Sequence, residues 1–268
     1  MKYDKYNTPW RLVASTVFGP PKDGKLYGTM DVDITETDKN IRDERRAKRK
    51  ITMTSVVIAA VAHTLAEDTP EINCFIRRGR IIPRNYIDVA TAVLLKGGEA
   101  MSTVMIKDAH KKSLLEIAME LREKALDARQ GDEDEAMNSK HALAKIPWPF
   151  RKWVYLLIRL IIYGFGFKIK SLGISEDSFG SIVVTNVGTL GLTNSFPALM
   201  PMAKLPAVIA VGKIEKRPIV IKDKIEIRMI LAGSAAFDHR LVDGIQIAKF
   251  VKGVIKRIQD PKLLEKSV

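Results

Sequence analysis

Phe237-Asp238-His239-Arg240-Leu241-Val242-Asp243-Gly244 decides the reading of this chain. It sets a histidine four residues before an aspartate-glycine pair. Upstream, Lys224 to Ala236 reads as a strand, and the alternation of Ile225, Ile227, Met229 and Leu231 predicts one buried face. Downstream, Ile247, Val251, Val254, Ile255 and Ile258 recur at helical spacing from a start near Asp243. Lys249, Lys252, Lys256 and Arg257 are expected outward, and Pro261 stops the helix. Asp243 suits the N-cap of that helix. His239 therefore closes a buried strand, where an imidazole of pKa near about 6.5 can act as a base. Of the other histidines, His63 falls on an apolar helix, and His110 and His141 fall in polar loops.

Working outward, Ser181 to Val187, Ala207 to Val211 and Pro218 to Ile221 read as strands, with Lys222-Asp223 as a hairpin turn. In the first half, Lys25 to Thr35 is a strand. Lys39 to Lys50 is a charge run, read as a solvated loop or helix start, or as a patch that faces phosphate. Ile51 to Ala66 is a strongly apolar helix with Thr52 or Thr54 as cap. Asn73 to Ile82 predicts a hairpin turning at Arg78-Gly79, Tyr86 to Leu95 and Met101 to Lys107 two strands, and Ser113 to Arg129 an amphipathic helix. The acidic segment 131–135 reads as a loop. With neither an internal repeat nor a linker recognised, residues 1–268 read as one α/β domain.

Composition narrows the classes. Hydrophobic residues make up 46% of the 268, enough for a sizeable core. The formal net charge of +13 favours anionic partners: nucleic acid, acidic lipid or the phosphates of coenzyme A. No helix-turn-helix, zinc-finger or RNA-binding motif accompanies the charge, so nucleic acid is not favoured. The one cysteine, Cys74, excludes an internal disulfide and a multi-cysteine metal site, and reads as core packing. Met1-Lys2-Tyr3-Asp4-Lys5 leads into no apolar signal region, which predicts a cytoplasmic protein.

Several segments together resemble the catalytic domains of the dihydrolipoyl acyltransferases of 2-oxoacid dehydrogenase complexes, and their relative chloramphenicol acetyltransferase. His239-Arg240-Leu241-Val242-Asp243-Gly244 resembles the family's His-x-x-x-Asp-Gly. Ser181-Ile182-Val183-Val184-Thr185-Asn186-Val187-Gly188 resembles a segment ending Ser-Asn-x-Gly, with Thr185 keeping the hydroxyl. Met30 to Thr35, Lys107 to Leu114 and Leu205 to Gly212 are similar to three further family segments.

The resemblance implies a chloramphenicol-acetyltransferase-like two-layer α/β sandwich, a mixed sheet with helices on one face. It implies a homotrimer with active sites between subunits, which the charged end Leu263-Leu264-Glu265-Lys266-Ser267-Val268 favours over a larger cage. The implied function is acyl transfer between a thioester, acyl-coenzyme A or acyl-dihydrolipoamide, and an acceptor. His239 would be the general base and Thr185 the oxyanion donor. Asp243 would hold the site together by pairing with Arg11, with Asn186 and Gly244 in support. Coenzyme A enters as substrate, the lipoyl group sits on a separate protein, and no metal is implied. A non-catalytic trimeric scaffold, or a membrane-associated binding protein, is the alternative.

Three departures stand out. No lipoyl or subunit-binding segment is recognised, so a catalytic core standing alone is expected. Lys96-Gly97-Gly98-Glu99-Ala100-Met101 replaces a family stretch beside the substrate channel, which weakens the case for dihydrolipoamide as acceptor. Finally, Ile146 to Lys170 reads as an added helix, apolar on nearly all sides. Arg159, Gly164 and Gly166 interrupt any run of the ~20 apolar residues that a membrane span needs. The expectation is a helix covered by its own protein or a neighbouring subunit, with Trp153, Leu157 and Phe165 lining a substrate channel. Peripheral membrane contact stays open.

Overall fold

The computed structural model describes residues 24–95, 101–130, 150–166, 179–199 and 203–265. Its centre is a six-stranded mixed sheet. The strands are β1 (Lys25–Asp33), β4 (Val89–Leu94), β5 (Met101–Ile106), β6 (Ile182–Asn186), β7 (Ala207–Ile221) and β8 (Lys224–Asp238), in the order β1-β8-β7-β6-β4-β5. β4, β6 and β7 run parallel, and the remaining pairs are antiparallel. A separate hairpin joins β2 (Cys74–Arg77) to β3 (Arg80–Pro83), with Arg78 and Gly79 both at positive φ in its turn. Cys74 is buried there.

The parallel strands are buried on both sides. On one face, Val184, Ile209, Leu231 and Phe237 pack with residues of three helices. These are α2 (Met53–Glu67), α3 (Leu114–Gln130) and α5 (Gly244–Gln259). On the other face, Val208 and Ala236 pack with Leu199, Ala203 and Leu205. α2 is buried around nearly its whole circumference, as its sequence predicts. Thr52 caps it: the Thr52 hydroxyl accepts from Ser55 N (3.2 Å), and Ser55 Oγ accepts from Thr52 N (3.0 Å).

Several expectations need correction. The first strand ends at Asp33, whose carboxylate accepts from Thr35 N (3.0 Å) and Thr35 Oγ1 (2.6 Å). That local turn starts α1 (Thr35–Arg46), so most of the charge run is a helix rather than a loop. α1 anchors by Thr37 and Ile41 and carries the ion pairs Arg42–Asp38 and Arg46–Asp43 on its outside.

The segments 207–211 and 218–221 belong to one long strand with an irregularity between Val211 and Ile214. Its outer half pairs only with β8, as a two-stranded ribbon whose turn, Lys222-Asp223, has positive φ at both residues. Neither β1 nor β6 reaches that far. Ile225 and Ile227, expected in the core, are therefore exposed, as is Val220. On α5, Phe250 joins the expected inward residues, and Arg257 turns in rather than out. Arg257 pairs with Glu67 and Asp68 at the end of α2 and donates to Thr64 Oγ1 (3.2 Å), which compensates the buried charge.

The added segment, expected to be covered by its own protein or by a neighbouring subunit, is helical where it is described. α4 (Phe150–Arg159) continues into a single π turn over Leu160–Gly164. Among its described side chains Ile158 and Ile162 are buried, while Trp153, Leu157 and Leu160 are 70%, 56% and 54% exposed. Cover by this chain is thus one-sided. Among the described residues, no helix is long and apolar enough to cross a membrane.

Candidate functional site

β8 ends where its neighbours hand it over to α5. Asp238 N donates to Pro206 O (2.8 Å), and His239 N donates to Gly24 O (2.9 Å). The buried Asp238 carboxylate accepts from Arg240 N (3.0 Å) and is clasped by the Arg240 guanidinium (2.6 Å), which fixes the turn. The chain folds back on itself, with Leu241 N donating to Asp238 O (2.9 Å). Asp243 then starts α5 and donates its N–H to Gln246 Oε1 (3.0 Å).

The turn brings His239 Nδ1 to 2.9 Å from Val242 O and 3.4 Å from Asp243 Oδ1. A carbonyl only accepts, so the short contact puts the proton on Nδ1 and the lone pair on Nε2. The His239 side chain is 29% exposed, so the ring is fixed but reachable. Among the described residues, nothing lies within 4 Å of where a side chain at Gly244 would start, so they do not demand glycine there. Next to it, Ile245 is an exposed apolar residue. Arg11, the expected partner of Asp243, lies outside the described residues.

Thr185 occupies a different part of the sheet. It sits half-buried on β6, level with Ala210 of β7 and Ser234 of β8. By strand alternation it shares the face of Val183, away from the three helices. His239 lies five residues beyond Ser234 along β8, and β8 is two strands from β6. At ~3.4 Å per residue and ~4.8 Å per strand, His239 and Thr185 of one chain are about 20 Å apart. One chain does not bring them together.

Asn186, the next residue, faces the helices. Its Nδ2 donates to Thr54 Oγ1 (2.8 Å), which ties the end of β6 to the first turn of α2. The following loop packs tightly on β7: a Cβ at Gly188 would come within 2.3 Å of Gly212 O, so only glycine allows the approach. Beyond Asn186 opens a cavity of about 800 Å³ between the start of α2, the end of β4 and α3. Val93, Leu121 and Ala125 make its apolar wall, and Arg45, Lys50, Arg122 and Arg129 contribute four cations. Thr91 Oγ1 in its lining is buried with no hydrogen-bond partner among the described residues.

Sequence reading missed this cavity. Arg45 and Lys50 come from the charge run, but Arg122 and Arg129 looked like solvent-facing charges of an amphipathic helix. Their spacing of seven residues on α3, beside Leu121 and Ala125, was the available signal. Trp153, Leu157 and Phe165, expected to line a channel, do not line the cavity and are exposed. Phe165 instead lies under the Arg78 guanidinium (5.6 Å), because α4 ends against the β2–β3 turn.

His63 is fully buried in α2, with Nε2 3.0 Å from Lys112 O and Nδ1 lacking a partner among the described residues. Burial pushes its pKa below the ordinary 6.5. His110 is also pushed down, by burial and then by Lys111. Among the described residues, no group of three or more His, Cys, Asp or Glu side chains is gathered so that it could hold a metal ion.

Comparison with known proteins places this architecture. The family model described as "2-oxoacid dehydrogenases acyltransferase (catalytic domain)" matches residues 24–139 and 167–265. A dihydrolipoyllysine-residue acetyltransferase component of the pyruvate dehydrogenase complex from Rickettsia felis is 25% identical over 235 residues, covering 87% of this chain and 46% of the relative. The chain thus spans about half the length of the curated relatives it matches. A crystal structure of a probable dihydrolipoamide acetyltransferase from Listeria monocytogenes superposes with a TM-score of 0.65 at 21% identity, over 97% of this chain and 92% of that one. Chloramphenicol acetyltransferase superposes with a TM-score of 0.57 at 14% identity, over 94% and 97% of the two chains. The chain therefore belongs to the family of 2-oxoacid dehydrogenase acyltransferase catalytic domains, and its α/β fold is that of chloramphenicol acetyltransferase.

Proposed function

We propose that the chain transfers an acyl group between a thioester and an acceptor thiol, with His239 of one copy and Thr185 of another completing each site. The observation that carries this is the His239 ring, held through Nδ1 by Val242 O at 2.9 Å with its other nitrogen basic. A thiol gives its proton to Nε2 as sulfur attacks the thioester carbonyl carbon. The tetrahedral oxyanion accepts a hydrogen bond from the Thr185 hydroxyl. The carbon–sulfur bond to the leaving thiol then breaks, and the leaving thiolate recovers the proton from the imidazolium.

The ~20 Å between the two residues in one chain favours a homotrimer with sites at its interfaces. The exposed Ile245, and Val220, Ile225 and Ile227 of the ribbon, are apolar surface that other copies can cover. Acyl-coenzyme A suits the cavity: its phosphates match Arg45, Lys50, Arg122 and Arg129, and its pantetheine arm matches the apolar wall that leads to Asn186. A lipoyl group on a separate protein is the second thiol, by analogy with the relatives' name.

The test is coenzyme A release from a panel of acyl-coenzyme A thioesters with dihydrolipoamide as acceptor. His239→Ala should keep the assembly's mass and lose turnover by about 10² to 10⁴. Unchanged turnover discards the mechanism. A wild-type protein that binds the thioesters without turning them over points to the non-catalytic scaffold instead.

A further inference from the structure

We propose that α4 and the β2–β3 turn form a docking surface for an anionic lipid bilayer. This goes beyond the acyl-transfer reading and does not depend on it. The family model leaves out residues 140–166, so the segment holding α4 is an addition of this chain to the shared catalytic domain. Such an addition is not needed to build the sheet or the turn that holds His239.

The shape of the addition is specific. Phe150, Trp153, Leu157 and Leu160, spaced by three, four and three residues, lie along one stripe of the helix and are all exposed. Leu156, beside them, is exposed too. Ile158 and Ile162 are turned the other way and buried. The helix is thus fastened to the protein by one stripe and offers a second, aromatic-rich stripe to the outside.

The sequence that contains the stripe carries charge of one sign. Residues 140–170 contain Lys140, Lys145, Arg151, Lys152, Arg159, Lys168 and Lys170, and no aspartate or glutamate. The structure adds to this at the far end of the helix. Arg78 lies over the Phe165 ring at 5.6 Å, and the exposed Arg80 follows in the same turn. Arg78 is therefore held by packing at the end of the segment that carries the apolar stripe.

An exposed Trp/Phe/Leu stripe set in a basic field is what an interfacial helix requires. The rings and leucines enter the boundary between headgroups and acyl chains, and the cations meet the anionic headgroups. Among the described residues no helix is long and apolar enough to cross a membrane, so the proposed contact is one that lies on the surface. A second copy of this helix is the weaker occupant: it brings the same charge, and lysine is depleted where protein interfaces are buried. Lipid is therefore the proposed cover for this face.

The test uses the whole purified chain with two vesicle types, phosphatidylcholine alone and phosphatidylcholine mixed with phosphatidylglycerol. Co-sedimentation should be at least about tenfold stronger with the mixed vesicles and should weaken as salt is raised. The double variant Leu157→Gln, Leu160→Gln should lose that binding by more than about tenfold, with its melting temperature and sedimentation mass unchanged. Absent or equal binding to both vesicle types overturns the proposal. A double variant that keeps vesicle binding, or whose assembly mass falls, also overturns it; the second result makes the stripe a contact between copies.

Discussion

The turn after β8 and the middle of α2 each hold a histidine by a main-chain carbonyl. His239 Nδ1 is 2.9 Å from Val242 O, and His63 Nε2 is 3.0 Å from Lys112 O. The hydrogen bonds are alike, but the surroundings are not. The His239 side chain is 29% exposed and has Asp243 Oδ1 at 3.4 Å. His63 is fully buried, with its second nitrogen unpartnered among the described residues. A carbonyl contact therefore fixes a tautomer without making a base. Reach by a substrate makes the base, and burial turns the same ring into a structural liability at low pH.

The largest effect should separate the two histidines. His239→Ala is expected to lower thioester turnover by about 10² to 10⁴ with no change in melting temperature. His63→Leu should leave turnover within about twofold, because it touches no reacting group. Equal losses in the two variants would erase the contrast and point to a folding effect in both.

The next effect concerns what His239 works with. Thr185→Val keeps the β-branched shape and removes the hydroxyl. It should lower kcat by about 10² with little change in KM, while Thr185→Ser keeps much of the activity. The ~20 Å separation adds a sharper measurement. Refolding a mixture of His239→Ala and Thr185→Val chains should restore activity above either variant alone, because some interfaces then carry both native residues. A mixture no better than the variants themselves would place both residues' work within one chain and contradict the geometry.

A smaller effect belongs to the cavity beyond Asn186. Lys50→Ala with Arg122→Ala removes two of its four cations. The expected result is a KM for acyl-coenzyme A raised by about tenfold, with kcat retained. A short thioester lacking the nucleotide should show no such difference between wild type and variant. If it does, the cations act on folding rather than on phosphate.

These regions also differ in how far the sequence exposes them. The His239 turn is built within nine residues, by Asp238 with Arg240, by His239 with Val242, and by Asp243 with Gln246. Its spacing is therefore visible in one dimension, as are the strand before it and the helix after it. α2 was equally plain, since a helix apolar all round has to be buried. The cavity was not legible, because Arg45, Thr91, Arg122 and Asn186 come from four separate elements. Arg257 and Ile225 were misplaced for the same reason. Periodicity assigns a face, but only the fold supplies Glu67 and Asp68 for the arginine, or withholds a neighbouring strand from the ribbon. For α4, apolarity was read as a demand for cover by this chain or a neighbouring subunit, and this chain supplies cover along one stripe.

The smallest effect tests the buried member of the pair through pH. Burial holds the folded-state pKa of His63 below 6.5, so below about pH 6.5 the unfolded chain binds a proton that the folded chain refuses. Unfolded protein then carries more protons, and stability falls as pH falls through that range. One such group adds a slope of at most about 1.4 kcal/mol per pH unit. His110, depressed in the same direction, adds its own share. The carboxylates that ionise more easily in the fold, Glu116, Glu120 and Glu215, lose their stabilising charge only below their ordinary range near 4.5. Urea unfolding between about pH 5 and 6.5 therefore reads the histidines apart from the acids. His63→Leu removes the orphaned Nδ1 along with the bond to Lys112 O, so at pH 7 it should change stability by no more than about 1 kcal/mol. Its signature is a flatter stability curve between pH 5 and 6.5, with the remaining slope due to His110. An unchanged slope in His63→Leu would mean that the native protein admits the proton at that position, and the contrast with His239 would then rest on reach alone.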